Sequence, residues 1–253
     1  MTAALIPGAD AWSHTGDTSV GVLVIHGFTG NPGSMRGLAE ACAAAGLHVE
    51  MPRLPGHGTT LDDMMTTAWA DWAGEAEAAY QRLAGRVNTV VVAGLSMGGA
   101  LTLRVGADHP DVAGLVCINP ATQPQAPEVV AMLEGMVEGG TEVIPAIGSD
   151  IADPDSKEAA YDGTPLRCLL SLVNDGLAPL AAEYPRLTMP LLLFNSVNDH
   201  VVEPVQGDYL AANYGGPVER IMLERSFHVA TQDYDKDIIF AGTVAFARRL
   251  GGL

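Results

Sequence analysis

Short apolar runs rich in β-branched residues alternate along this chain with longer stretches whose apolar positions recur every three or four residues. The runs Val20–Ile25, Val87–Ala93, Gly114–Ile118, Leu191–Phe194 and Val218–Leu223 have the character of strands. Between and after them Arg36–Ala45, Ala68–Leu83, Ala100–Ala107, Val205–Tyr214 and Asp235–Leu250 carry helical spacing, several opened by Pro or Asp and closed near Gly. Strand followed by helix, repeated in this way, predicts an α/β fold whose mostly parallel sheet is covered by helices on both faces. A length of 253 residues suits one such domain.

The rhythm breaks between about Pro120 and Leu187, where Pro, Gly, Asp and short helical pieces replace it, so an inserted cap is expected there. Within it Val129, Val130, Leu133, Met136 and Val137 line one side of a helix. Such a stripe glues a cap to its core, and it can also roof a pocket.

The chemistry concentrates where strand meets helix. Gly94-Leu95-Ser96-Met97-Gly98-Gly99 follows the apolar run Val90–Ala93 and precedes a helix-forming stretch, the setting of a nucleophilic serine on a sharp strand-to-helix turn. Glycines at 94 and 98 let neighbouring chain approach the serine closely, and the N-terminus of the next helix favours negative charge beside it. A serine hydroxyl needs a base and a group that orients the base. His228, in Ser226-Phe227-His228-Val229, lies beyond the last strand and before the last helix, and is the expected base.

The acid belongs at a strand end between serine and histidine, and Asp199, following Leu191–Ser196, fits; Asp175 and Glu203 are the runners-up, each more simply read as a solvated carboxylate. His26 and His57 are expected to shape loops, and His14, His48, His109 and His200 carry no motif. Two backbone N–H donors must meet the oxyanion, and Met97, after the serine, and Phe28, in His26-Gly27-Phe28-Thr29-Gly30, are the expected pair.

Composition narrows the partners. Thirteen Lys+Arg against 30 Asp+Glu give a net charge of −17, which opposes nucleic acid and, with no basic cluster beside the motifs, disfavours acyl-CoA. Cys42, Cys117 and Cys168 are too few and scattered for a disulfide framework or a metal cluster, and read as small buried apolar residues. Met1–Leu5 lacks a basic region leading into a long apolar run, and no segment has the roughly 18 apolar residues that would span a bilayer, so a reducing cytoplasm is the expected location.

Taken together, His26–Gly30, Pro52–Gly58, Gly94–Gly99, Asn198–Val202 and Phe227–Thr231 resemble the bacterial carboxylesterase and monoacylglycerol lipase family of α/β hydrolases, in the right order and nearly end to end. The resemblance implies an α/β-hydrolase fold with a small inserted cap at about 120–187, a Ser96, Asp199, His228 triad, and no metal or cofactor. It further implies a small lipid ester, a monoacylglycerol, as substrate, with Glu158 in the cap on the glycerol head group and Ile147 narrowing the alcohol side of the pocket. Separately, the apolar character of the cap leads to an expectation of transient contact with a lipid surface, without a basic amphipathic anchor. A short-chain carboxylesterase or thioesterase would use the same triad. A non-catalytic ligand-binding relative would keep the fold alone. Epoxide hydrolases and dehalogenases are disfavoured, because their nucleophile is an aspartate where this chain has Ser96.

Overall fold

The computed structural model describes residues 3–253; Met1 and Thr2, the start of the N-terminal segment weighed above, lie outside the described residues. The chain runs β1 (Trp12–His14), β2 (Val20–Ile25), α1 (Arg36–Ala44), β3 (His48–Met51), α2 (Leu61–Met64), α3 (Trp69–Ala84), β4 (Thr89–Leu95), α4 (Met97–Asp108) and β5 (Gly114–Ile118). It then leaves the sheet through α5 (Pro127–Glu138), β6 (Val143–Pro145), β7 (Gly163–Pro165), α6 (Leu166–Ser171) and α7 (Ala178–Leu180). It returns through β8 (Leu191–Ser196), α8 (Val205–Asn213), β9 (Val218–Leu223) and α9 (Lys236–Leu250).

Seven strands form one sheet in the order β1-β3-β2-β4-β5-β8-β9, parallel except for β1 against β3. β2, β4, β5 and β8 are buried almost throughout, because helices cover both faces. Successive residues serve opposite faces. Leu23, Ile25 and Val92 pack with Trp72, Leu83 and Leu101 from α3 and α4, while Val22, Val24, Val91 and Ala93 pack with Leu38, Cys42, Ile239 and Phe246 from α1 and α9. All three cysteines are free and buried.

The register sets the stage for a site. Ile25 pairs with Gly94, Leu95 with Ile118, Ile118 with Phe194, and Ser196 with Leu223, so five strands end level with one another. Loops leaving these ends meet in one crevice, where open α/β sheets bind ligands.

Three expectations need correction. The strand expected at Val87–Ala93 runs Thr89–Leu95, and the helix expected from Ala100 begins at Met97, so strand and helix flank Ser96 with no spacer. β1, β3, β6 and β7 were not expected: each is three or four residues long, and Ser13, His48 and Glu50 interrupt the apolar signal. Of the expected stripe on α5 only Leu133 is buried, Val129 is exposed, and none of the five lines the pocket described below. α5 therefore neither roofs the pocket nor buries much of its apolar side. The roof is the strap formed by residues 146–162, which joins β6 to β7. Among the described residues no helix is long and apolar enough to cross a membrane.

Candidate active site

Ser96 sits between β4 and α4 with φ 57° and ψ −119°, a conformation that costs a non-glycine residue about 1–3 kcal/mol and persists only where its surroundings enforce it. They do. A Cβ on Gly94 would lie 2.0 Å from the Gly98 carbonyl oxygen, and one on Gly98 would lie 2.3 Å from that of Ile25, so backbone passes backbone at a distance only glycine allows. Gly27 brings the β2 loop close as well, though less tightly: a Cβ there would lie 3.3 Å from the Ser96 Cβ. Met97 opens α4, so its N–H is among those of the first turn that have no intrahelical acceptor. Phe28 follows Gly27 and faces the same pocket as Ser96.

The expected acid and base meet. His228 Nδ1 and Asp199 Oδ2 are 2.7 Å apart, with both side chains less than a tenth exposed. The other oxygen, Asp199 Oδ1, accepts the backbone N–H groups of Val201 and Val202 at 2.8 and 2.7 Å, which aims the carboxylate at the ring. With Nδ1–H donated to the carboxylate, the Nε2 of a neutral His228 is left as an acceptor. Ser96 and His228 line one pocket of about 330 Å³. Asp175, exposed, accepts from the Ser171 hydroxyl at 2.6 Å, and Glu203 is exposed, so neither runner-up joins the site.

Asn119, which the sequence reading missed, organises the floor. Its backbone takes φ 42°, its Oδ1 accepts the Ser196 N–H at 2.7 Å, and its Nδ2 donates to the Ser196 hydroxyl and to the carbonyls of Phe227 and His228 at 2.9, 3.3 and 2.8 Å. One amide thus ties the ends of β5 and β8 to the histidine loop. The only sequence signal was an asparagine directly after a strand, where left-handed backbone is tolerated.

His26 and His57 support the neighbouring loop from below. Both are fully buried; burial, then the proximity of His57, pushes His26 well below the ordinary histidine value, and burial takes His57 down to about 4. A neutral His26 accepts the Leu54 N–H on Nε2 at 3.1 Å, so its proton sits on Nδ1, toward the Gly27 carbonyl. Phe28 stacks edge-on to Trp72 at 5.7 Å and to His57 at 6.5 Å, which fixes the ring above them.

The strap closes the pocket from above. Glu158 reaches over the β2 loop, so that a Cβ on Gly30 would lie 2.7 Å from its Oε1. Burial raises the Glu158 pKa above the usual carboxylate range, against the opposing influence of His228 and of the Ser34 hydroxyl. Ile147 lines the pocket's rim and is 68% exposed. Leu169, Leu172, Val173 and Leu177, from α6 and the π-helical turn after it, form an apolar wall. Among the described residues no cluster of His, Cys, Asp or Glu could hold a metal ion.

Residues 22–237 match the alpha/beta hydrolase family. The chain is 43% identical over 236 residues to the thermostable monoacylglycerol lipase of Bacillus sp. (strain H-257), covering 92% of each protein. It is 23% identical to the carboxylesterase of Bacillus subtilis (strain 168), over 90% of this chain and 92% of that one. A solved structure concerning LipS and LipT, two metagenome-derived lipolytic enzymes, superposes with a TM-score of 0.91 at 40% identity, covering 97% of this chain and 100% of that chain. The monoacylglycerol lipase of Paleococcus ferrophilus, at 18% identity and a TM-score of 0.76 over 95% of this chain and 99% of that chain, shares the fold. The chain belongs to the alpha/beta hydrolase family.

Proposed function

We propose that this protein is a serine hydrolase that cleaves monoacylglycerols to a fatty acid and glycerol. The observation that carries the reading is the buried 2.7 Å contact of His228 with Asp199, facing the same pocket as a strained Ser96. His228 takes the Ser96 proton as the serine oxygen attacks the ester carbonyl, and Asp199 steadies the imidazolium that forms. The N–H groups of Phe28 and Met97 receive the developing oxyanion, each contributing roughly 3 kcal/mol of transition-state stabilisation. The alcohol leaves with the proton from His228. Water, deprotonated by the same ring, then attacks the acyl-enzyme and releases the acid.

The residues 120–187 act as the cap. The apolar wall of Leu169, Leu172, Val173 and Leu177 suits an acyl chain, while Glu158 supplies the polar end, where it binds glycerol hydroxyls, and Ile147 narrows the alcohol side. One chain and one polar head make a monoacyl ester the natural fit, and the 43% identity to a thermostable monoacylglycerol lipase supports that choice. Transient contact with a lipid aggregate falls to the exposed Val129 and Met132 of α5. Three free cysteines support a cytoplasmic location.

A turnover panel of monoacyl-, diacyl- and triacylglycerols, short aryl esters and acyl thioesters tests the reading. Monoacylglycerol is expected to give the highest kcat/KM, rising roughly fourfold per methylene until the pocket is full. Glu158→Ala is expected to lower kcat/KM for monoacylglycerol about tenfold more than for an aryl ester, since it removes the side-chain hydrogen bond to the glycerol hydroxyls. A flat chain-length series, or faster thioester turnover, overturns the substrate assignment.

A further inference from the structure

Asp150 lies in the strap, and no step of the mechanism above uses it. Its side chain is 10% exposed and lines the pocket, yet both its oxygens are occupied within the protein. Oδ2 accepts the backbone N–H of His228 at 3.0 Å and that of His200 at 3.1 Å. Oδ1 meets His200 Nδ1 at 2.8 Å, and because a carboxylate only accepts, that nitrogen carries the proton. The Asp150 carbonyl accepts the Val229 N–H at 3.0 Å. One cap residue therefore holds the base, the residue after the base, and the residue after the acid.

This grip spans two loops that are otherwise tied only behind the triad, where Asn119 and the Ser196 hydroxyl donate to the carbonyls of Phe227 and His228. Asp199 rides on the loop after β8, and His228 on the loop after β9. Their contact is only as constant as the distance between those loops. Asp150 bridges them directly, and the His200 ring reinforces the bridge by meeting Phe227, the residue before the base, edge-on at 4.6 Å. Asp150 is in turn anchored through its strap: the Ala152 and Asp153 N–H groups donate to Asp233, whose Oδ2 also accepts the Phe227 N–H. A carboxylate taken out of water at this depth demands such donors, and a wall residue that merely faced substrate would not gather three of them.

We propose that Asp150 is a positioning residue for the triad, setting the separation of Asp199 and His228 and transmitting the position of the cap to the base. The inference rests on the triad assignment made above. It gives the strap a part in catalysis as well as in substrate choice: to the tie that Asn119 makes at the strand ends, Asp150 adds one at the base itself and at the residue after the acid.

The test uses the full chain, with kcat expressed per active site titrated by a fluorophosphonate, so that unfolded molecules drop out. Asp150→Ala is expected to lower kcat for an aryl ester roughly 10- to 100-fold with KM changed less than about threefold, the cost of small misplacement in a catalytic array. Asp150→Asn keeps an oxygen for the two backbone N–H groups, and a neutral His200 can turn its other tautomer to the amide, so most of the rate is expected to return. His200→Ala, at a largely exposed side chain with little bearing on folding, is expected to cost about threefold. The proposal is overturned if Asp150→Ala keeps kcat per site within about twofold of the parent, if only KM rises, or if the Asn variant is as slow as the Ala variant. Failure of the underlying triad reading looks different: turnover would then survive Ser96→Ala.

Discussion

At the elbow, Ser96 is held by atoms that cannot give way, with the backbone of Gly98 against Gly94 and that of Ile25 against Gly98 packed where a single methyl would collide. Over it, the 146–162 strap is held by hydrogen bonds: Asp150 and Asp233 accept N–H groups on the histidine side, and on the other side the Asn31 Nδ2 donates to the Ala159 carbonyl and the Thr29 carbonyl accepts the Tyr161 N–H at 3.1 Å. Steric exclusion fixes the nucleophile whatever the substrate. Hydrogen bonds fix the roof, and they can be re-formed with a different side chain beneath. On the proposed function, the reaction is set by the strand ends at the middle of the sheet and the choice of ester by the cap, with Asp150 as the proposed link between them.

The comparison breaks most readily at Gly98. Gly98→Ala would place a Cβ 2.3 Å from the Ile25 carbonyl oxygen, and a loss of at least about 3 kcal/mol in urea unfolding is expected, together with the activity. An unfolding midpoint within error of the parent would mean that the elbow is looser than its geometry states.

Acid probes the loop under Phe28. The His57 value of about 4 lies below the ordinary 6.5, so from pH 6.5 downward the unfolded chain binds a proton that the folded chain refuses until about pH 4. Stability contributed by the neutral ring is thus complete above pH 6.5 and is lost as pH falls through that window, by up to about 3 kcal/mol at 1.36 kcal/mol per unit. Tm followed from pH 7 to 4 should fall less steeply in His57→Gln than in the parent. Parallel slopes would remove His57 from the account.

The smallest effect belongs to the strap. Gly148 takes φ +89° with open space where a Cβ would be, so Gly148→Ala meets backbone strain and no collision. Roughly 1 kcal/mol of destabilisation is expected, with the aryl-ester rate nearly unchanged. A loss as large as that of Gly98→Ala would erase the distinction between the two regions.

The same distinction governs what could be read from the sequence. Ser96 was legible because the glycines that make its turn possible stand two residues to either side, Asp199 because it follows the buried apolar strand β8, and His228 because it stands between the last apolar run and the last helix. The strap's role was not legible. Asp150 lies 78 residues from His228, and Asp233 lies 81 residues from Ala152, and a carboxylate that will collect distant backbone N–H groups looks in sequence like any solvated one. His200, which carries no motif, became meaningful only beside Asp150. α5 misled for a related reason: periodicity says that one side is apolar, not that anything covers it, and of the expected stripe Val129 stays exposed and only Leu133 is buried.

The central claim is that turnover passes through an acyl group on Ser96. Intact-protein mass spectrometry after fluorophosphonate treatment, paired with kcat on monoacylglycerol, tests it most directly. A single adduct on the parent, mapped to the peptide bearing Ser96, is expected, with no adduct and at least about a 10⁴-fold loss of turnover in folded Ser96→Ala. An adduct on Ser96→Ala, or turnover within about tenfold of the parent, would contradict it.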